Sequence, residues 1–305
     1  MANNPAVYHV PVMLQECIDA LAIKPDGLYV DVTFGGGGHS REILKHLGEN
    51  GRLIAFDQDP DAVKNALDDP RFTLVHHNFR FLKNNLRLLG IRQVDGVLGD
   101  LGVSSHQFDS AERGFSIRYE ADLDMRMDQV ADLDAKKVLN TYVEADLHRI
   151  FGMYGEIQNA RSLASTIVTA RLNEPIETVG QLKEVIKRLV PKGKEHKYHA
   201  QVFQALRIEV NGELEALQEF LEQTIEVLKP EGRLVIMSYH SLEDRLVKNF
   251  IQKGKFKGEV EKDFYGNEIK PFKAVSRKAV TASAAELEVN NRARSAKLRI
   301  AERGT

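Results

Sequence analysis

The 305-residue chain has one cysteine, Cys17, and no tryptophan. A single thiol excludes an intrachain disulfide and a cysteine-based zinc site, and a reducing, cytoplasmic setting is expected. No apolar run approaches the roughly 18–20 residues a membrane helix needs, so no membrane partner is expected. The opening MANNPAVYHV lacks a charged segment followed by an apolar one, so no signal peptide is expected there. Net charge is nearly absent too. The 42 Lys/Arg against 44 Asp/Glu leave a formal −2, which argues against a protein that coats nucleic acid. With no tryptophan and no aromatic-rich run, nothing marks an independent RNA-stacking module.

What is present is an ordinary globular composition, 43% hydrophobic and 28% charged, long enough to bury a core without staples. The length exceeds one compact domain and predicts one large or two interleaved domains. The charge is unevenly spread. Residues 245–299 carry 14 Lys/Arg against 6 Asp/Glu, whereas residues 1–244 carry 27 against 37. A basic C-terminal fifth on an acidic body is either a local anion-binding face or a solvated tail.

Short apolar runs alternate with helical stretches over the first hundred residues. Strands are predicted at 28–32, 52–57, 72–75 and 94–98, with helices at 40–47, 61–67 and 81–89. That spacing indicates parallel βαβ units. From about 106 to 212 no strand is predicted, and helices are expected at 145–151, 156–172 and 179–190. The acid-rich stretch 120–146 reads as helix caps and solvated surface. The α/β rhythm then resumes. Leu214, Leu217, Leu221, Ile225 and Leu228 line one helix face, Lys229-Pro230-Glu231-Gly232 breaks it, and a fifth strand follows at 233–238. Ser241 is expected to cap the next helix, with Asp244 as its capping-box acid. A last strand is expected at 297–301. The fold class is therefore α/β and Rossmann-like. An α/β domain of residues 1–105 and 213–305 is interrupted by a helical insertion of residues 106–212.

The strongest local signal is Asp31-Val32-Thr33-Phe34-Gly35-Gly36-Gly37-Gly38-His39-Ser40. Glycines directly after a first strand let the backbone approach a ligand closely. Asp57, 19 residues past Gly38 at the tip of the second strand, can accept from both hydroxyls of a ribose. Together they point to an adenosine-containing cofactor. Ser40 stands where a third glycine would complete the dinucleotide fingerprint, which weakens a nicotinamide reading. The alternative is a tight turn with no ligand. The segment Val227–Ile236, the acid after strand two and Asp100 at the end of strand four resemble class I S-adenosylmethionine-dependent methyltransferases.

Seven further segments resemble one family, the bacterial ribosomal RNA small subunit methyltransferase H. They are Thr33–Ser40, Asp100–Ser105, Glu112–Ser116, Leu123–Asp128, Phe203–Ile208, His240–Lys248 and Arg292–Arg299, in the family's order and spanning nearly the whole chain. The resemblance implies S-adenosylmethionine-dependent methylation of N4 of a cytidine in the decoding region of 16S rRNA, within the small ribosomal subunit. It implies that Gly37, Gly38 and His39 contact the cofactor, Asp57 holds the ribose and Phe79 lies against the adenine. Asp100 and Gln107 would complete the pocket. His106 and Asn291 stand where the family usually has proline, and Lys197-Tyr198-His199-Ala200 matches its His-Pro-Ala segment poorly.

Methylating an exocyclic amine needs N4 held in line with the methyl group and an acceptor for the charge that develops on it. Asp100 is either that acceptor or a cofactor contact. Ser104 and Ser105 either orient the base or make turn hydrogen bonds. His240 either sits over the base or is an ordinary loop histidine. His76 and His77 point to opposite faces of a strand and are discounted, while His196 and His199 lack a metal-site pattern. Arg207, Arg245, Arg292 and Arg294 are the expected RNA-facing set, and the insertion is expected to grip RNA. A homodimer is left open. The competing functions are a nicotinamide dehydrogenase and a catalytically silent assembly factor.

Overall fold

The computed structural model describes residues 11–304, so the segment read for a signal peptide lies outside the described residues. The chain divides into two compact units. One comprises residues through Gly102 together with Glu215 onward, and the other is Val103–Leu214.

In the first unit, α1 (Leu14–Leu21) precedes β1 (Leu28–Asp31), α2 (Gly38–His46), β2 (Arg52–Asp57), α3 (Pro60–Val63), β3 (Phe72–His76), α4 (Leu82–Leu88) and β4 (Val94–Asp100). The second unit holds α5 (Ser105–Asp109), α6 (Ala135–Thr141), α7 (Glu144–Met153), α8 (Ala160–Ala170), α9 (Val179–Ile186) and α10 (Glu195–Asn211). The first unit then resumes with α11 (Glu213–Val227), β5 (Leu228–Ser238), α12 (Ser241–Lys253), β6 (Glu261–Lys262), β7 (Glu268–Ile269), β8 (Phe272–Ala274), α13 (Ala284–Val289) and β9 (Lys297–Arg303).

Seven strands form one sheet in the order β3-β2-β1-β4-β5-β9-β8. The first five are parallel; β9 runs antiparallel to β5 and β8. Side chains alternate between faces along each strand. Val30, Val97, Leu234 and Ile236 therefore join Leu82, Leu86, Phe220 and Val247 in one core. Tyr29, Leu98, Val235 and Met237 join Cys17, Leu21, Ile43 and Leu298 in the other. Both faces are covered, as a largely parallel sheet requires. This is a Rossmann-like, doubly covered sheet. Its strand order reverses between β1 and β4, where ligands bind in such folds.

Some elements depart from expectation for visible reasons. The predicted helix at 61–67 stops at Val63, and Asn65 instead donates from Nδ2 to the Gly35 carbonyl at 3.2 Å. Lys229–Gly232 ends α11 but is taken into β5 as an irregular stretch. The pairing with β4 is irregular there and Glu231 has φ 64°, which is where a strand tolerates Pro230. The cap of α12 is His240 with Glu243, one residue before the expected Ser241–Asp244 pair. Asp244 is instead taken by Arg299 (2.6 and 3.2 Å) and Lys297 (3.4 Å). Sequence patterning gave no sign of α1, whose ends turn at Met13 and Ala22 in the left-handed region without glycine.

The second unit contains no strand among its described residues, only an isolated bridge between Asp122 and Thr178. Leu139, Leu147, Ile150, Phe151, Leu163, Ile167, Leu182, Val202 and Leu206 are fully buried among its helices. Asp134 caps α6, as the acid-rich reading expects. Asp124 does more, binding Arg126 through both carboxylate oxygens (2.8 and 2.7 Å). Among the described residues no helix is long and apolar enough to cross a membrane.

Cys17 is fully buried on α1, and burial, then the nearby Asp100 charge, push its thiol well above the usual range. Its reaction with an aromatic disulfide reagent is therefore expected to be negligible in the folded chain and rapid in denaturant. Labelling in native buffer at the rate of a free thiol would show that α1 does not pack as described.

Candidate active site

Three carboxylates converge at the C-terminal ends of adjacent strands: Asp31 on β1, Asp57 on β2 and Asp100 on β4. Asp31 is buried. It accepts from Ser40 Oγ at 2.6 Å and from the Thr33 N–H at 3.1 Å, so it ties the end of β1 to the first turn of α2. The Asp100 N–H in turn donates to Thr33 Oγ1 at 2.6 Å, which pins the ends of β1 and β4 together.

The glycine loop is shaped by this frame. Gly35 and Gly37 have φ of 51° and 74°, a region open to glycine at little cost. A Cβ at Gly37 would come within 2.8 Å of the Phe34 ring. The Gly35 N–H donates to Asp57 Oδ2 at 2.7 Å and the Asp59 N–H to Oδ1 at 2.8 Å, so the loop and the acid predicted to hold a ribose position each other. Each oxygen keeps a second lone pair, and Asp57 remains partly exposed.

Burial pushes Asp57 and Asp100 up to about 6 and raises Asp31 as well. The charge of Asp31 adds to the shift of both others. Asp31 thus repels both other acids in a site of poor hydration. Asp100 is steadied by a residue that the sequence reading missed: Tyr239, at the end of β5, donates its hydroxyl to Asp100 Oδ1 at 2.7 Å. The Tyr239 hydroxyl is itself pushed up by burial and by Asp100. A tyrosine preceding His240 carries no motif signal, and only the pairing of β4 with β5 makes it visible.

Among the other expected site residues, Gly38 opens α2, where a Cβ would collide with Pro11. His39 is buried, with Nε2 at 3.2 Å from the Val12 carbonyl and Nδ1 at 3.9 Å from Asp100 Oδ2. Phe79 is half-buried, its ring packed at a steep angle against Phe220 with centroids 5.3 Å apart. His240 caps α12. Its Nε2 lies 3.2 Å from the buried carboxylate of Glu243, which also accepts from the Tyr239 N–H at 3.0 Å. Arg245 and Arg294 are exposed, and Arg292 is half-buried.

Ser104, Gln107 and Arg207 belong to the second unit. Ser104 and Gln107 form a reciprocal capping box at α5. The Gln107 N–H donates to Ser104 Oγ at 3.2 Å, and the Ser104 N–H donates to Gln107 Oε1 at 2.9 Å. Arg207 makes a two-point bond to Glu213 at 2.8 and 3.0 Å. Two segments singled out in the sequence are joined in the same unit, with Arg113 Nη2 donating to the Arg126 carbonyl at 2.8 Å.

Comparison with known proteins points the same way as this geometry. The model of the MraW methylase family matches residues 6–304. A Cytophaga hutchinsonii protein named ribosomal RNA small subunit methyltransferase H is 62% identical over 299 residues, covering 97% of this chain and all of the relative. A Flavobacterium johnsoniae protein of the same name is 60% identical over 296 residues, covering 97% of this chain and 98% of the relative. One from Bacteroides thetaiotaomicron is 56% identical over 303 residues, covering 99% of this chain and all of the relative.

The shifted acids carry a stability cost with a definite sign. The folded chain holds the Asp100 proton up to about pH 6, against an ordinary value of 3.8. Folding therefore binds protons between these values, and this contribution to stability is lost as pH rises through about 6. Asp100→Asn keeps an acceptor for Tyr239 without a charge. It is expected to be more stable than wild type by about 1–2 kcal/mol at pH 7.5, with the gap closing near pH 4. Thermal melts across that range check it; a gap that does not change with pH would contradict the buried-charge account.

Proposed function

Since the chain belongs to the MraW methylase family and is accordingly an S-adenosylmethionine-dependent methyltransferase, we propose that it methylates N4 of a cytidine in the decoding region of 16S rRNA. It would act on the small ribosomal subunit, in the cytoplasm. The substrate reading is carried by near-complete alignment with relatives whose names specify ribosomal RNA of the small subunit.

The residues at the strand ends fit the methyl donor. S-adenosylmethionine, when bound, supplies a methyl group on a sulfonium cation. A carboxylate cluster in which Asp31 repels both Asp57 and Asp100 favours a cation and disfavours the pyrophosphate of a dinucleotide, which weighs against the dehydrogenase alternative. In this reading Asp57 accepts from both ribose hydroxyls and Phe79 lies against the adenine. The glycine loop lets backbone come close. In this reading Asp100, oriented by Tyr239, either contacts the donor or accepts a hydrogen bond from the N4 amine and takes up positive charge as N4 becomes tetrahedral.

The cytosine must be unpaired or flipped out to reach such a pocket. Arg245 and Arg294 are the exposed cations we assign to phosphate contacts. Arg207, already bonded to Glu213, serves as a brace in this reading, and His240 serves as a cap that fixes the start of α12. The helical unit is assigned to gripping the RNA.

Wild-type chain and purified small subunits are expected to yield N4-methylcytidine, detected by mass spectrometry of 16S rRNA nucleosides. Asp57→Ala is expected to lower the yield roughly a hundredfold or more, because two hydrogen bonds to a charged acceptor are lost. Donor binding is expected to weaken as pH falls below about 6, where Asp57 and Asp100 take up protons. Tight NADH binding without S-adenosylmethionine binding would reverse the assignment, and equal product from Asp57→Ala would remove Asp57 from the site.

A further inference from the structure

Beyond α12 the chain forms a small hairpin that the sheet does not need. Its strands β6 and β7 pair only with each other, Glu261 opposite Ile269 and Lys262 opposite Glu268. The base of the hairpin is anchored. Phe256 stacks on Phe250 with centroids 5.3 Å apart, and buried Phe272 packs on the same ring at 5.7 Å. The tip is the opposite case: Phe264 is 97% exposed and Tyr265 86% exposed.

The turn itself is tightly built. Asp263 Oδ1 accepts from the N–H groups of Tyr265 (2.9 Å) and Asn267 (2.8 Å), and Oδ2 accepts from Asn267 Nδ2 (2.9 Å). Gly266 supplies the left-handed residue at φ 86°. These bonds explain Asp263, Gly266 and Asn267 as turn formers. They do not explain two aromatic rings between them, set edge to face at 87° and touching no core. Polar residues would make the same turn without exposing that apolar surface.

The surroundings are cationic. Residues 253–278 carry eight Lys/Arg against four Asp/Glu. Two of those acids, Glu261 and Glu268, are each covered by a lysine, at 3.2 Å from Lys255 and 2.7 Å from Lys270. A third, Asp263, is occupied by the turn. Lys257, Lys262, Lys273, Arg277 and Lys278 are exposed around it. Aromatic faces within a cationic collar suit a polyanion whose own flat groups are uncovered.

We propose that the hairpin tip is a second RNA contact, at which Phe264 and Tyr265 stack on unpaired bases while the collar holds the backbone. Paired bases already have both faces covered, so duplex offers nothing to stack on. The inference rests on the RNA-substrate reading above. Helix α12 has 13 residues and runs from the His240 cap toward the hairpin, a length of about 20 Å. Neither tip ring is buried against the strand-end acids, so its loss is expected to weaken binding without touching the methyl-transfer step.

The test uses two variants of the full chain. The double substitution Phe264→Ala/Tyr265→Ala is expected to raise KM for small subunits about tenfold with kcat unchanged. Phe264→Trp gives the chain its only tryptophan. Its fluorescence is expected to be quenched by a single-stranded oligoadenylate and not by a duplex of equal length. Methylation by wild type with an unchanged KM in the double variant and no quenching would overturn the inference and leave the substrate reading intact. Quenching without methylation by wild type would sink the substrate reading and uphold the RNA contact. A double variant that changed sedimentation from dimer to monomer, with no quenching in the tryptophan variant, would make the tip a contact with a second copy and overturn the inference.

Discussion

The crowding of Asp31, Asp57 and Asp100 at the ends of three neighbouring strands is the constraint from which the rest of the α/β unit is best understood. Carboxylates in such a place cost free energy whenever they are ionised, and the raised affinity for protons at Asp57 and Asp100 expresses that cost. The surrounding groups meet it with hydrogen bonds. Ser40 and Thr33 serve Asp31, the Gly35 and Asp59 amides serve Asp57, and the Tyr239 hydroxyl serves Asp100. The glycine loop is thus more than a place where a ligand can come close. Its own N–H completes the acid that follows the next strand, so the two strongest sequence signals are one physical unit.

That coupling explains which parts of the molecule were legible in the sequence. The short continuous apolar runs of β1, β2, β4 and β5 declared a buried parallel sheet, because residues such as Leu234, Val235, Ile236 and Met237 are apolar toward both faces. The glycine cluster and Asp57 were legible because backbone freedom and a strand-end carboxylate have recognisable residue types. Tyr239 was not, since its role depends on β5 lying beside β4, a long-range fact that no local pattern carries. Helix α1 was hidden because it turns at both ends on Met13 and Ala22 rather than on glycine or proline. The hairpin was hidden because two-residue strands leave no periodicity to read.

A second group of residues stood out in the sequence and turned out to serve the architecture visibly. Ser104 and Gln107 close one capping box, and His240 with Glu243 closes another. Asn211 accepts from the Met127 N–H at 2.8 Å and donates to the Met125 carbonyl at 2.8 Å, locking the Leu123–Asp128 segment whose Met125 sits at φ 60°. Reading chemistry from a motif is hazardous for this reason. A polar side chain that satisfies an orphan amide at a helix start contributes on the order of 1 kcal/mol, enough to fix a residue type without any contact to substrate.

The uneven charge along the chain becomes intelligible once the sheet is in view. The basic C-terminal fifth is no solvated tail: β9 lies inside the sheet, and Arg299 and Lys297 are spent on Asp244. The remaining exposed cations of that fifth lie on the hairpin and its flanks and at Arg245, Lys248 and Arg294, while the acids that matter most gather at the strand ends. In the proposed complex this separation sorts the parts of a nucleotide. Phosphates are repelled by the acid cluster and drawn to the lysines, whereas an uncharged base enters the cluster without that penalty and meets acceptors for its amine. On that proposal, charge placement selects a flipped base over backbone at the reacting centre, with the same carboxylates assigned to the cationic donor.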